Sequence, residues 1–279
     1  MLKLKSDRAK QACAHEGDAV VLQDLTLRYA QDVALNALNL VVKSGERIAV
    51  VGPNAAGKSS LFHILSGVVP PTSGHASVHG HPPARYLCTA YLPQSRQLDW
   101  NFPLTVNDVV MMGRAGSIGF FNRPQSEDLA AVDQAMQMLK ISDLAQHPIN
   151  QLSGGQRQRM FIARALAQEA QLLLLDEPLS SLDLGSQELI FDVLDELKKR
   201  QITVLLATHD LNLALERFDR VLLLQRELIG YGTAEEVLND ENLHLAYDGH
   251  VHLLQTPEGP RILGDMGGHH PHGEQDPHA

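Results

Sequence analysis

No stretch of this 279-residue sequence reaches the ~18 consecutive apolar residues of a membrane-spanning helix. Its first residues, Met1 to Asp18, are polar and charged and lack the apolar segment of a secretory signal. A protein so built works at a membrane only if a partner holds it there. Cysteine is equally scarce. Cys13 and Cys88 lie far apart in no metal-ligand spacing, which excludes a disulfide framework or a cysteine-based zinc site and fits a reducing cytosol. Basic residues are in deficit, 23 Lys and Arg against 33 Asp and Glu, for a formal net charge of -10. That balance argues against a nucleic-acid partner whose affinity rests on neutralising phosphates. What is present is apolar mass in short pieces. At 44% hydrophobic residues the chain can bury one large core, or a core with a smaller subdomain, without disulfide support.

The pieces come in an order. Segments 20–22, 25–29, 38–42 and 48–51 read as a strand-rich start, with Lys43-Ser-Gly-Glu46 as the turn between the last two. From there helices and strands alternate, as in an α/β fold. Three runs, Ile48 to Val51, Leu172 to Leu175 and Thr203 to Ala207, are continuously apolar, as expected of parallel strands covered on both faces. Each leads into residues fit for chemistry, and in open α/β sheets the ligand crevice lies at the carboxyl ends of the strands. A helix is predicted from about Ser186 to Arg200, with Leu189, Ile190, Val193, Leu194 and Leu197 on one face and basic residues at its end. Residues 93–153 read as irregular chain and helices, one of them Ser126 to Lys140.

Gly52-Pro53-Asn54-Ala55-Ala56-Gly57-Lys58-Ser59-Ser60 follows the first of these strands and precedes a helix. That placement lets successive backbone N–H groups surround phosphate oxygens, with Lys58 reaching the outer phosphates and Ser59 holding Mg²⁺. A plain glycine turn is the bland alternative. The strand Leu172–Leu175 runs into Asp176 and Glu177, one carboxylate for a magnesium shell and one to polarise a water. On its own such a strand is commonly one that meets solvent. His209 follows the third strand and is placed to contact a terminal phosphate, although an isolated histidine is more often structural. In Leu152-Ser153-Gly154-Gly155-Gln156-Arg157-Gln158, Ser153 and Gln156 have the spacing of a capping box at the start of a helix running to about Ala170.

This last stretch resembles the signature sequence of ATP-binding cassette (ABC) ATPases, and the rest of that family's pattern is present in order over roughly Val20 to Thr233. The resemblance implies an α/β ABC ATPase fold: a P-loop core with a mixed, mainly parallel sheet, an N-terminal antiparallel β subdomain and a helical signature subdomain. It implies ATP and Mg²⁺ as ligands. Tyr29 matches the aromatic that stacks on adenine, Gln94 the magnesium-sensing glutamine, Glu177 the catalytic base and His209 the switch histidine. Ser180-Ser-Leu-Asp183 matches the loop reaching across a dimer, and Ser153, Gly154, Gly155 and Gln156 would close over ATP held by the P-loop of a second copy. Two residues depart from the pattern, Ala55 for glycine and Ser60 for threonine, both at positions expected to tolerate a side chain.

The spacing from Lys58 to Ser153 is too short for a coiled-coil insertion, and one set of motifs occurs, which disfavours DNA-repair and translation-factor relatives. The stretch from Tyr91 to Arg114 resembles the ATPases of bacterial manganese and zinc importers, with iron carriers as a further possibility. The resemblance implies a homodimer on the cytoplasmic face of the cell (inner) membrane, under a permease docked near Trp100, Phe102 and Pro103 and indirectly served by an extracytoplasmic metal-binding protein. For those three residues, packing within the subdomain is the competing role. A soluble ABC ATPase of assembly or regulation, or a nucleotide-binding module without turnover, are the other readings. The expected domains are a flexible 1–17, a nucleotide-binding domain over 18–240 with a helical subdomain at about 95–165, an extension over 241–263 and a flexible tail over 264–279. The tail carries His269, His270, His272 and His278, read as incidental, with a metal sensor or buffer as the alternative.

Overall fold

The computed structural model describes residues 17–83, 89–94, 100, 102–119, 122–180, 182–256 and 259–264. In chain order these form β1 (Asp18–Tyr29), β2 (Asp32–Lys43), β3 (Arg47–Val51), α1 (Lys58–Leu65), β4 (Ser73–Val78) and β5 (Thr89–Leu92). A helical stretch comes next: α2 (Val106–Met111), α3 (Ala115–Ile118), α4 (Ser126–Met138) and α5 (Gly154–Ala167). Then come β6 (Leu172–Asp176), α6 (Leu184–Lys199), β7 (Thr203–Ala207), α7 (Leu211–Arg217), β8 (Arg220–Gln225) and β9 (Glu227–Gly232). The described chain ends with α8 (Ala234–Val237), α9 (Asp240–Tyr247), β10 (Val251–Thr256) and β11 (Gly259–Gly264). The expectations for Cys13, Cys88, Ser181 and the tail histidines fall outside the described residues.

A six-stranded sheet in the order β5-β6-β7-β3-β8-β9 forms the centre, and only its last pairing is antiparallel. The continuous apolar runs are explained by a sheet covered on both faces, with alternate residues sorted to opposite sides. Ala49, Val51, Leu173, Leu175, Val204 and Leu206 pack towards the helical side. Ile48, Val50, Leu172, Leu174, Leu205 and Ala207 pack towards α1 and the three-stranded antiparallel sheet β2-β1-β4. The two expected strands over 20–29 are in fact one. Asp24 takes a left-handed φ of 46°, and the register to β2 shifts between Leu22 and Leu25, so a bulge replaces the expected break.

The helix predicted near 186–200 begins two residues earlier because Asp183 caps it, its carboxylate accepting from the Ser186 amide at 2.8 Å. The capping box at Ser153 closes as its spacing predicts: Gln156 N–H donates to Ser153 Oγ at 3.3 Å, and Ser153 N–H donates to Gln156 Oε1 at 2.9 Å. At the C-terminal end, the β10–β11 hairpin is fixed to α7 by the Asn212 side chain. Its amide donates to the Ile262 carbonyl at 3.0 Å and accepts from the Ile262 N–H at 2.8 Å.

Candidate active site

Strands β6, β7 and β3 are neighbours and parallel, so the loops leaving their carboxyl ends emerge along one edge of the sheet. Asp176 sits opposite Ala207, and Val50 opposite Ala207 on the other side. The connection is continued by backbone bonds just past the strands, Glu177 N–H to the Ala207 carbonyl at 3.0 Å and Thr208 N–H to the Val50 carbonyl at 3.1 Å. The glycine loop, the carboxylate pair and Thr208-His209 are thereby gathered in one place.

The loop after β3 cannot accept side chains at its two glycines. A Cβ at Gly52, where φ is 149°, would lie 2.0 Å from the Leu224 carbonyl oxygen. At Gly57, where φ is 100°, it would lie 2.5 Å from Leu35 and 2.6 Å from the Ala34 carbonyl. Gly57 caps α1 without a side chain, leaving the first amides of that helix to face a ligand. Ala55, expected to sit at a tolerant position, instead adopts φ 61°, a left-handed conformation that costs an alanine about 1–2 kcal/mol. The expectation concerned room for a side chain, and the left-handed φ is a separate, backbone cost at the same residue. Lys58 is buried, and its Nζ donates to the carbonyls of Gly52 at 2.6 Å and Pro53 at 2.9 Å. Burial holds its pKa below the ordinary lysine value, while Glu177 and Asp176 act in the opposite sense.

A cleft of about 470 Å³ opens over this loop, within the usual range for ligand sites. It is lined by Asn54 to Ser60, by Tyr29, which is 45% exposed, and by Gln94, Asp176 and Glu177. Asp176 accepts a hydrogen bond from Ser59, and its burial raises its pKa above the usual carboxylate range, with Ser59 and Lys58 opposing that rise. Glu177 is held from two sides: Gln94 Nε2 donates to its Oε2 at 2.7 Å, and His209 Nδ1 stands 3.6 Å from its Oε1. A carboxylate so placed can orient and deprotonate a water. The Ser59 hydroxyl, the Asp176 carboxylate and the Gln94 amide are oxygen-bearing groups that line this same cleft, a donor set suited to the hard Mg²⁺ ion.

Not every expected residue joins this cleft. Ser153, Gly154, Gly155, Gln156 and Asp183 do not line it. Gly154 has nothing within 4 Å of where a Cβ would stand, and the Asp183 carboxyl is lowered in pKa by the Ser186 amide. Trp100 is partly buried, 6.0 Å from Phe161 in an edge-on arrangement and with the Arg157 guanidinium 4.0 Å above its ring centroid. Packing within the subdomain is therefore part of its role, whereas Phe102 is 58% exposed.

Three residues that sequence reasoning missed also reach the site. Tyr91 at the end of β5 is a hydrogen-bond partner of Asp176, and its burial together with the charge and hydrogen bond of Asp176 raises its pKa. Arg226, in the turn between β8 and β9, lines the cleft, and its N–H donates to the Ala56 carbonyl at 2.8 Å. Tyr247 on α9 has its hydroxyl buried against the Gly52 amide, short of an ordinary hydrogen bond, and burial pushes its pKa up to about 12. Tyr91 stands three residues before Gln94, whereas Arg226 and Tyr247 belong to no local motif. Each arrives from a distant element.

Residues 35–180 match the family described as ABC transporter. The chain belongs to the ABC transporter family. It is 39% identical over 237 residues, 85% of this chain and 95% of the relative, to the manganese transport system ATP-binding protein MntB of Bacillus subtilis. It is also 39% identical over 242 residues, 86% of this chain and 91% of the relative, to the zinc transport system ATP-binding protein TroB of Treponema pallidum. Among solved structures, a metal-chelate type ABC transporter in an inward-facing conformation superposes with a TM-score of 0.74 at 32% identity, over 88% of this chain and 96% of that one. As a member of this family the chain binds nucleotide, hydrolyses ATP and acts as a dimer with membrane permease subunits. Among the described residues no helix is long and apolar enough to cross a membrane.

Proposed function

We propose that this protein is the ATP-hydrolysing subunit of an importer for a divalent transition metal, manganese first and zinc or iron next, working at the cytoplasmic face of the cell (inner) membrane. The placement of Glu177 between Gln94 and His209, beside the Asp176–Ser59 pair and over the P-loop, carries the hydrolytic part of this reading. The metal class is supported by the names of several relatives at 35–39% identity, which are manganese or zinc transport system ATP-binding proteins.

In this reading Tyr29 stacks on adenine, residues 52–60 surround the phosphates, and Lys58 meets their outer oxygens. Ser59, Asp176 and Gln94 hold Mg²⁺, which when bound neutralises phosphate charge and favours displacement at the γ-phosphorus. Glu177 takes the proton of the attacking water, and His209 contacts the terminal phosphate while steadying Glu177. The γ-phosphate is closed off by Ser153, Gly154, Gly155 and Gln156 of a second copy, with the loop at Asp183 reaching across the same dimer. Closure moves the permease, docked around Phe102 and Pro103 at the rim of Trp100, and hydrolysis reopens it. An extracytoplasmic binding protein delivers the ion on the far side.

Reconstitution with the permease in vesicles tests the whole. ATP-dependent uptake should be measured with manganese, zinc and iron in separate assays, and manganese should give the largest uptake. ATPase activity that the permease does not stimulate, with no uptake of any of the three, would exclude the metal-import reading.

A further inference from the structure

The phosphate cleft is short of positive charge. Asp32, Asp176 and Glu177 line it, against two cations among the described residues, Lys58 and Arg226. Lys58 is tied to the carbonyls of Gly52 and Pro53, and no part of the proposed hydrolysis uses Arg226. Among the described residues the Arg226 guanidinium has no ion pair and no hydrogen-bond partner, and the residue is exposed. Its neighbour Glu227 is engaged elsewhere, for Asn36 Nδ2 donates to Glu227 Oε1 at 2.7 Å. An uncompensated cation therefore lines a site built for phosphate.

The side chain is free, but the main chain beneath it is fixed. Arg226 is the single residue between β8 and β9, which pair Gln225 with Glu227 across it. Its N–H donates to the Ala56 carbonyl and its own carbonyl accepts from the Asn36 N–H, both at 2.8 Å. The end of β8 also packs against the first glycine of the loop, where a Cβ on Gly52 would meet the Leu224 carbonyl. These contacts hold Arg226 at a φ of 58°, a left-handed conformation that glycine adopts more readily. Strand order fixes the direction from which it comes. β8 runs parallel to β3, so its carboxyl end delivers Arg226 to the same edge of the sheet as the phosphate loop. β8 flanks β3 on one hand, while β7 and then β6, which leads into Asp176 and Glu177, flank it on the other. Arg226 thus reaches the loop from the side away from those carboxylates. Asn36, its backbone partner, lies on β2 with Asp32, Val33 and Ala34 of the cleft, and β2 pairs with the strand that ends at Tyr29.

We propose that Arg226 is a nucleotide-binding residue whose guanidinium donates to the phosphate nearest the ribose, the one that ATP and ADP share. Asp176 and Glu177 act at the terminal phosphate and Tyr29 serves the base, so the stretch between them is what the β8 side of the loop meets. A guanidinium suits it, because forked N–H groups pair with two phosphate oxygens and the charge persists at every working pH. This role rests on nucleotide binding in the cleft and not on which ion is transported.

The test titrates the full chain, wild type, Arg226→Gln and Arg226→Lys, with ATP, ADP and GTP by calorimetry, without Mg²⁺ so that no turnover intervenes. Arg226→Gln should weaken all three nucleotides by the same factor, about tenfold, the low end of the range for a hydrogen bond to a charged group. Arg226→Lys keeps the charge without the fork and should fall between Gln and wild type. The backbone bonds of the turn need no side chain, so the unfolding midpoint without nucleotide should stay at its wild-type value. If Gln lowers that midpoint, Arg226→Gly, which suits the left-handed φ, takes its place in the comparison. Wild-type affinities in the variants would leave Arg226 a surface side chain. A loss for ATP alone would put it at the terminal phosphate, a loss for ATP and ADP without GTP would make it a reader of the base, and a Lys variant as weak as Gln would remove charge as the cause. Any of the four overturns the proposal. A wild-type chain that bound none of the nucleotides would instead strike the nucleotide reading of the cleft itself.

Discussion

The starts of α1 and α5 are both helix N-termini that present glycines and backbone amides, yet the molecule treats them differently. At α1 the cap is Gly57, no side chain satisfies the first amides, and the end opens into a cleft that Asp176 and Glu177 also line. At α5 the Ser153–Gln156 box supplies the cap, and no residue from 153 to 156 lines that cleft. An uncapped end relies on a ligand to satisfy its amides, so it must sit within reach of one. A capped end keeps its shape alone and can be held ready for a surface that arrives from elsewhere. The contrast describes a chain with a complete phosphate cradle and an unmatched lid, which is why the proposed mechanism needs two copies.

The largest expected effect tests the cradle side. Glu177→Gln should lower ATP turnover by about 10²–10⁴-fold, the usual contribution of a general base, while ATP still binds and a nucleotide-bound dimer accumulates in sedimentation. Hydrolysis near the wild-type rate would remove Glu177 from that role. The lid side is tested by Gly154→Asp. Its Cβ has open space within the chain, so the fold and ATP binding by single subunits should persist. A carboxylate facing the partner's phosphates should weaken the ATP-driven dimer by several kcal/mol, and ATPase activity should fall with it. An unchanged dimer would mean that this helix end does not meet nucleotide.

Smaller effects sharpen the picture. Phe102→Ala should cost about 2 kcal/mol in permease binding, measured by pull-down, with basal ATPase intact. Trp100→Ala should instead lower the melting temperature of the isolated subunit, because its ring packs between Arg157 and Phe161. The reverse pattern would exchange their roles. Smallest is Ala55→Gly, which relieves a left-handed alanine but adds freedom to the unfolded chain. A net gain below about 1 kcal/mol is expected, read as a small shift of the midpoint of chemical unfolding.

The site was legible in the sequence where its chemistry is local. The P-loop, the carboxylate pair and the capping box each depend on residues within a few positions of one another, so spacing alone exposes them. Arg226 and Tyr247 were illegible because strand order and helix docking bring them in, and nothing beside them in the chain announces a destination; Tyr91 stands near Gln94, but the pairing of β5 with β6 is what brings it to Asp176. Ala55 shows a different gap: the motif specifies residue types but not the φ that makes one of them awkward. The C-terminal hairpin escaped for a tertiary reason, since Asn212 fixes it from a distant helix. The two expected strands over 20–29 looked separate because polar residues interrupt the apolar run, where the backbone absorbs them as a bulge.

Glu177 has a φ of 47°, a region that a non-glycine residue other than asparagine or aspartate seldom occupies. A chain under selection for endurance alone would be expected to place glycine there. The carboxylate is therefore kept against the interest of the fold, and replacing it by glycine should give a subunit that resists heat better and turns nothing over. In the proposed mechanism this carboxylate is indispensable, so variants screened only for robustness would be free to lose it and drift towards inactivity.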